Sequence, residues 1–106
     1  MNRVVPSETD QALVLGLSGE VIMDVVPDLK VEIERLADGS AKTAVVVDLG
    51  AVTFMDSSGV GLLLGLRRFC KQRDKVFELA NPAPPIKKLL DMLRLTEYFA
   101  PGGLAG

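Results

Sequence analysis

Histidine and tryptophan are absent from this chain, and cysteine occurs once, as Cys70. Without histidine there is no Ser–His–Asp or Cys–His catalysis, and with a single cysteine there is no zinc site of the usual kind. A carboxylate-only magnesium site stays chemically open, but no residues are assigned to it. Cys70 cannot close an internal disulfide. It is expected as a reduced thiol packed on the longest helix rather than as a redox sensor, for which a resolving partner is missing. Charge of one sign is also lacking: the net charge is −2, so no overall field draws nucleic acid. No apolar run approaches the length of a membrane span; the longest, Gly59 to Leu66, is about two helical turns. The first residues do not show the charged-then-apolar layout of a signal peptide. The expectation is a cytoplasmic protein with no membrane or nucleic-acid partner and no cofactor.

What is present is a chain of 106 residues, the size of one domain. Its ordered core is expected over about 3–100, with 101–106 as a frayed tail. Arg3 to Val5 is a short strand ended by Pro6, with polar turn material from Ser7 to Asp10. Ala12 to Ser18 alternates, with Leu13, Leu15 and Leu17 on one face, and pairs with the first strand as a hairpin. Gly19-Glu20 reads as a break. Val25 to Ala37 is a helix, with Val26, Leu29, Ile33 and Leu36 near helical spacing, Asp24 as its cap and Gly39 as its stop. Its charges read as a solvated face.

The stretch that organises the rest runs from Ala44 to Phe69. Val45-Val46-Val47 is a β-branched run typical of a buried strand, closed by Asp48-Leu49-Gly50. A short connection ends in Asp56-Ser57-Ser58-Gly59, where an apolar helix starts. Aspartate and serine cap helix starts because their oxygens accept orphan backbone N–H groups. Lys75 to Ala80 is a further strand, Asn81 to Pro85 a rigid loop, and Pro85 opens a helix with Ile86, Leu89, Leu90 and Leu93 on one stripe. Tyr98-Phe99 is an edge strand or a hydrophobic plug. The order is β-β-α-β-α-β-α, which predicts an α/β domain. Its sheet is mixed, mostly parallel and four- to five-stranded, with the first strand antiparallel and three to four helices. The functional corner then falls at the C-terminal end of the third strand.

The helix after Asp56 is apolar nearly all round. Val60, Leu63, Leu64 and Cys70 can face the sheet, which leaves Leu62, Leu66 and Phe69 on another side. Such a helix is deeply buried or partly exposed for binding, and the expectation is an exposed apolar patch from Val60, Leu62 or Leu66 beside Ser57. Gly59, Gly61 and Gly65 each cost about 1 kcal/mol of helix propensity relative to alanine, which points to close approach of another backbone. Ser57 or Ser58 is a cap, a phosphoacceptor or both: a helix N-terminus accommodates a phosphate well.

The run Val47-Asp48-Leu49 and Phe54-Met55-Asp56-Ser57-Ser58-Gly59-Val60-Gly61 resembles the bacterial anti-sigma factor antagonists, the stand-alone STAS domains. Pro84 to Met92 followed by Phe99 is similar to that family's third helix and its sequel, and Gly19-Glu20 to its Gly-Glu after the second strand. The resemblance covers roughly Leu13 to Phe99. It implies a non-enzymatic partner switch in which an ATP-dependent anti-sigma factor serine kinase phosphorylates Ser57, with Ser58 as second choice. The unphosphorylated form binds that kinase and frees a sigma factor, and a metal-dependent serine phosphatase resets the switch. The implied partner surface takes in Glu20, Asp24, Asp56, Ser57, Ser58, Gly59, Val60, Leu62 and Leu66. Ile22 stands where the family often has an acid.

Other readings lack their residues. A phospho-receiver would use Asp48, but it needs an acidic pair after the first strand and a late lysine, and Ala100-Pro101 supplies none. A serine hydrolase would need Lys42, Lys87 or Lys88 as base. Gly59-Val60-Gly61 has no phosphate-loop lysine. An unphosphorylated STAS scaffold in another signalling or transport complex stays open. Arg67, Arg68, Lys71, Arg73 and Lys75 form a basic run, either a solvated helix end suited to the helix dipole or a contact for an acidic partner.

Overall fold

The computed structural model describes residues 3–99; the expectation of a frayed tail at 101–106 falls outside them. The first two strands, β1 (Val4–Glu8) and β2 (Ala12–Val21), form the expected antiparallel hairpin. Pro6 does not end β1 but pairs with Leu15 inside it. An edge strand tolerates proline where the missing N–H would point away from the sheet. Helix α1 (Val26–Asp38) buries Leu29, Ile33 and Ala37. Its N-cap is Val25 and no side chain caps it, so Asp24 does not play that part. Strand β3 (Ala44–Met55) leads into α2 (Ser57–Gln72), followed by β4 (Val76–Ala80), α3 (Pro84–Met92) and a single turn, α4 (Thr96–Phe99). Pro84, not Pro85, opens α3. Phe99 is a plug on α4, its ring 6.2 Å from that of Phe77.

Among the described residues the sheet has four strands in the order β1-β2-β3-β4, with β2, β3 and β4 mutually parallel. Leu13 and Leu15 of β2 lie opposite Val45 and Val47 of β3, and these share one buried cluster with Leu17, Leu49 and residues of all four helices. Val5, Val14, Val46 and Val76, on the alternate positions, are outside that cluster.

Strand β3 does not stop at Gly50. It runs five residues further, because β2 continues through Gly19-Glu20 as an irregular strand. Register shifts lie between Gly16 and Ser18 and between Gly19 and Glu20. At each one β3 carries an extra residue, so its buried side changes phase and the inward residues become Val45, Val47, Leu49, Val52 and Met55. Gly19 sits at φ 75°, a left-handed conformation that side chains resist.

Helix α2 is apolar around so much of its surface because two elements cover it. The sheet packs on one side and α1 on another, and Val60, Leu62, Leu63, Leu66 and Cys70 are all buried.

Candidate functional site

Three chain segments meet where β3 ends. Val21, the last residue of β2, pairs with Met55, the last of β3. The Asp56 N–H then donates to the Val21 carbonyl at 3.4 Å. Asp56 is the N-cap of α2, with extended backbone angles. Its Oδ1 accepts from the Gly59 N–H at 3.1 Å, and its Oδ2 accepts from the Met23 N–H at 3.1 Å. One carboxylate thus serves both the helix start and the loop joining β2 to α1.

With Asp56 as the cap, the serines are relieved of that work. Ser57 is the first residue of α2 and exposed; Ser58 is half-buried. The helix N-terminus supplies a positive end beside the Ser57 hydroxyl.

Glu20 and Asp24 are exposed on the same rim; Glu20 pairs in register with Phe54, and its carbonyl accepts from Arg3. The expected apolar patch is not where the sequence placed it. Val60, Leu62 and Leu66 are 6%, 3% and 1% exposed, and Gly59 is buried. The exposed apolar side chains at this end are instead Met23 at 66% and Phe54 at 52%. Phe54 lines a shallow groove of about 250 Å³ with Met55, Leu89, Met92 and Lys88. Periodicity gave no sign of Met23, which lies in an irregular loop, and Phe54 turns outward only through the second register shift.

The glycines divide. A Cβ on Gly59 would overlap Met55 Cγ and lie 2.6 Å from the Val21 carbonyl oxygen, so Gly59 is a point of close approach. Gly61 and Gly65 have nothing within 4 Å of such an atom, and the expectation of close approach fails for them.

The basic run is in large part fastened to its own domain. Arg67 lies 4.4 Å from the centre of the Tyr98 ring and bonds its hydroxyl. Arg73 pairs with Asp38 at 2.7 Å and covers the Phe69 ring. Lys75 donates to the carbonyls of Ser40 and Lys42.

Cys70 is buried, and loss of solvation pushes its thiol from 9.0 up to about 11, with Lys75 and Arg73 pulling weakly the other way. The neutral thiol is therefore the form the fold favours. Its contribution to stability is complete below pH 9 and declines as pH rises from 9 toward 11. Alkylation of the native protein at neutral pH is expected to be slow and to become fast in denaturant; equal rates in both conditions would contradict the burial of the thiol.

Among the described residues no group of three histidine, cysteine, aspartate or glutamate side chains can hold a metal ion. None of their helices is long and apolar enough to cross a membrane.

The profile of the family described as "Mlab, STAS domain" matches residues 4–104. An anti-sigma F factor antagonist of Lysinibacillus sphaericus is 32% identical over 81 residues, spanning 76% of this chain and 69% of that protein. A STAS-domain containing protein of Pseudomonas aeruginosa is 31% identical over 94 residues, 89% of this chain and 91% of that one. Among solved structures, the anti-sigma factor antagonist SpoIIAA in its unphosphorylated form is 29% identical and superposes with a TM-score of 0.72, covering 87% of this chain and 81% of its own. SpoIIAA of Bacillus is also known in a phosphorylated form, with a TM-score of 0.66, covering 87% of this chain and 84% of its own.

Proposed function

The chain belongs to the STAS domain family, among relatives of the anti-sigma factor antagonists, and from that premise we propose that it is a phosphorylation-controlled partner switch with no turnover of its own. The observation that carries the proposal is Ser57: exposed, first in α2, and not needed as the cap because Asp56 fills that place. Unphosphorylated, the corner binds an anti-sigma factor serine kinase, and a sigma factor is released from that kinase. Phosphorylation of Ser57 turns the corner off, and a metal-dependent serine phosphatase restores it.

The physics of the off state follows from the surroundings. A phosphate brings a charge of about −1.5 to −2. The helix end and its N–H groups accommodate it, so the fold survives. The surface around it already carries Glu20, Asp24 and Asp56 beside the apolar Met23 and Phe54. Adding charge there raises the cost of removing water and repels acidic groups on the partner. Glu20, Asp24, Met23, Phe54, Ser57 and Ser58 are the residues proposed to meet the partner. Gly59, Val60, Leu62 and Leu66 shape that surface from beneath.

Calorimetric titration against an anti-sigma serine kinase from the same genome tests this reading. Ser57→Ala is expected to bind as the parent does and, because Asp56 keeps the cap, to change stability by no more than about 0.5 kcal/mol. Ser57→Asp is expected to weaken binding by about ten-fold or more, near 1.4 kcal/mol, although one charge imitates phosphate incompletely. If both variants bind like the parent, Ser57 is not the switch. Mass spectrometry of the protein from its own cells adds a direct check: a phosphate on Ser57 supports the proposal, and its absence under every growth condition favours a constitutive adaptor.

A further inference from the structure

We propose that Asp56 is a positioning residue whose carboxylate fastens the β2–α1 loop to the start of α2, so that Met23 and Asp24 stand beside Ser57 as one surface. Its two oxygens are divided between two elements: Oδ1 holds Gly59 in the first turn of α2, and Oδ2 holds the backbone N–H of Met23. The loop has its own turn, since the Val25 and Val26 N–H groups both donate to the Ile22 carbonyl. That turn shapes residues 22–26 but does not tie them to α2. The tie is the Met23 bond, which joins residues 33 positions apart. Beneath it, Gly59 brings α2 so close to Val21 that no side chain fits between. The end of β2 is therefore fixed by packing, and the residue two beyond it is fixed by one charge-assisted bond. Met23 is 66% exposed, so nothing packed over its side chain does that work instead.

The role requires both carboxylate oxygens, which makes it separable from capping. Asparagine and serine cap helices as well as aspartate does. Asparagine, however, offers one acceptor oxygen and a donor NH₂. With its oxygen on Gly59, its NH₂ faces the Met23 N–H, donor against donor. The serine hydroxyl is too short to serve both elements.

The test uses the full chain carrying Asp56→Asn or Asp56→Ser. Amide hydrogen exchange is followed at Met23 and Gly59, together with thermal unfolding and titration against the anti-sigma kinase. Only the binding arm rests on the partner-switch reading. The expected result is Met23 exchange faster by about ten-fold or more, as for loss of a bond to a charged acceptor. Gly59 should stay protected, the melting temperature should stay close to the parent's, and kinase binding should weaken with Ser57 intact. Unchanged Met23 protection in both variants overturns the fastening. A loosened loop with parent-like kinase affinity, in a protein whose Ser57→Asp variant has lost binding, overturns the positioning role and leaves the switch standing. A binding loss matched by an equal loss of thermal stability assigns Asp56 a merely structural role and also overturns the proposal. If the parent itself does not bind the kinase, the switch reading fails, and the exchange measurement still decides the fastening.

Discussion

Gly59→Ala is expected to destabilise the protein by about 1–3 kcal/mol, whereas Gly61→Ala and Gly65→Ala are expected to stabilise it by up to about 1 kcal/mol each. All three changes raise helix propensity in α2 by the same amount, so their difference isolates the surroundings. At Gly61 and Gly65 an added methyl meets nothing within 4 Å. At Gly59 it overlaps Met55 Cγ and sits 2.6 Å from the Val21 carbonyl oxygen. The Met55 side chain is flexible and borders the groove beside Phe54, so it can give way in part. The Val21 carbonyl is backbone and accepts from the Asp56 N–H. Relief therefore means pushing α2 away from the end of the sheet, which disturbs the corner that carries Ser57. Urea denaturation of the three variants checks this. A Gly59→Ala protein as stable as the Gly61→Ala protein would show that the approach of α2 to β2 is looser than described.

Leu66→Ala is expected to cost about 2–5 kcal/mol, a large part of the roughly 5–15 kcal/mol that holds a domain together. The sequence alone suggested Leu62 and Leu66 as partner contacts, and that role makes the opposite forecast: binding falls and stability hardly changes. Leu66 is 1% exposed and belongs to the central cluster, between the sheet and α1. Truncation leaves a cavity that close-packed neighbours cannot fully collapse. Met23→Ala supplies the contrast, because its side chain lies outside the core; its stability should stay within about 0.5 kcal/mol of the parent while kinase binding weakens. Thermal unfolding and titration of the two variants side by side separate scaffold from surface. A Leu66→Ala protein that melts with the parent would return that residue to the interface.

Much of this architecture was readable from residue pattern because local and global signals agree. Leu13, Leu15 and Leu17 alternate and all point inward; Val45 and Val47 do the same beside them; Asp56 opens the longest helix and caps it. What escaped the pattern did so for physical reasons. Pro6 reads as a strand end in the sequence, but the cost of proline depends on whether the missing N–H would face a neighbour, and that is a matter of sheet position. Asp48-Leu49-Gly50 reads as the close of the third strand because the β-branched run ends before it, yet the strand goes on beside a partner that continues irregularly through Gly19-Glu20. The apolar girth of α2 reads as a surplus to be exposed, since helix periodicity cannot tell how many neighbours a helix has. The candidate site was legible as far as the Asp-Ser-Ser-Gly corner itself, whose residue types announce a helix start. Its flanks, Met23 and Phe54, depend on a loop and a phase change that only the three-dimensional register reveals.

The two register shifts along β3 also decide where this strand can change in length. Each takes up one extra residue where it occurs, so Val52 after the first shift and Met55 after the second both face the core, opposite Gly19 and Val21. Loss of one residue within either shift would straighten the strand there and leave Met55 beside Val21 and Asp56 at the start of α2. Loss of one residue from the uninterrupted stretch between Val45 and Leu49 has no such slack and would turn the side chains on one side of the gap outward. Homologous chains that vary the length of this strand should therefore do so between Gly50 and Phe54, by single residues, with the aspartate cap kept.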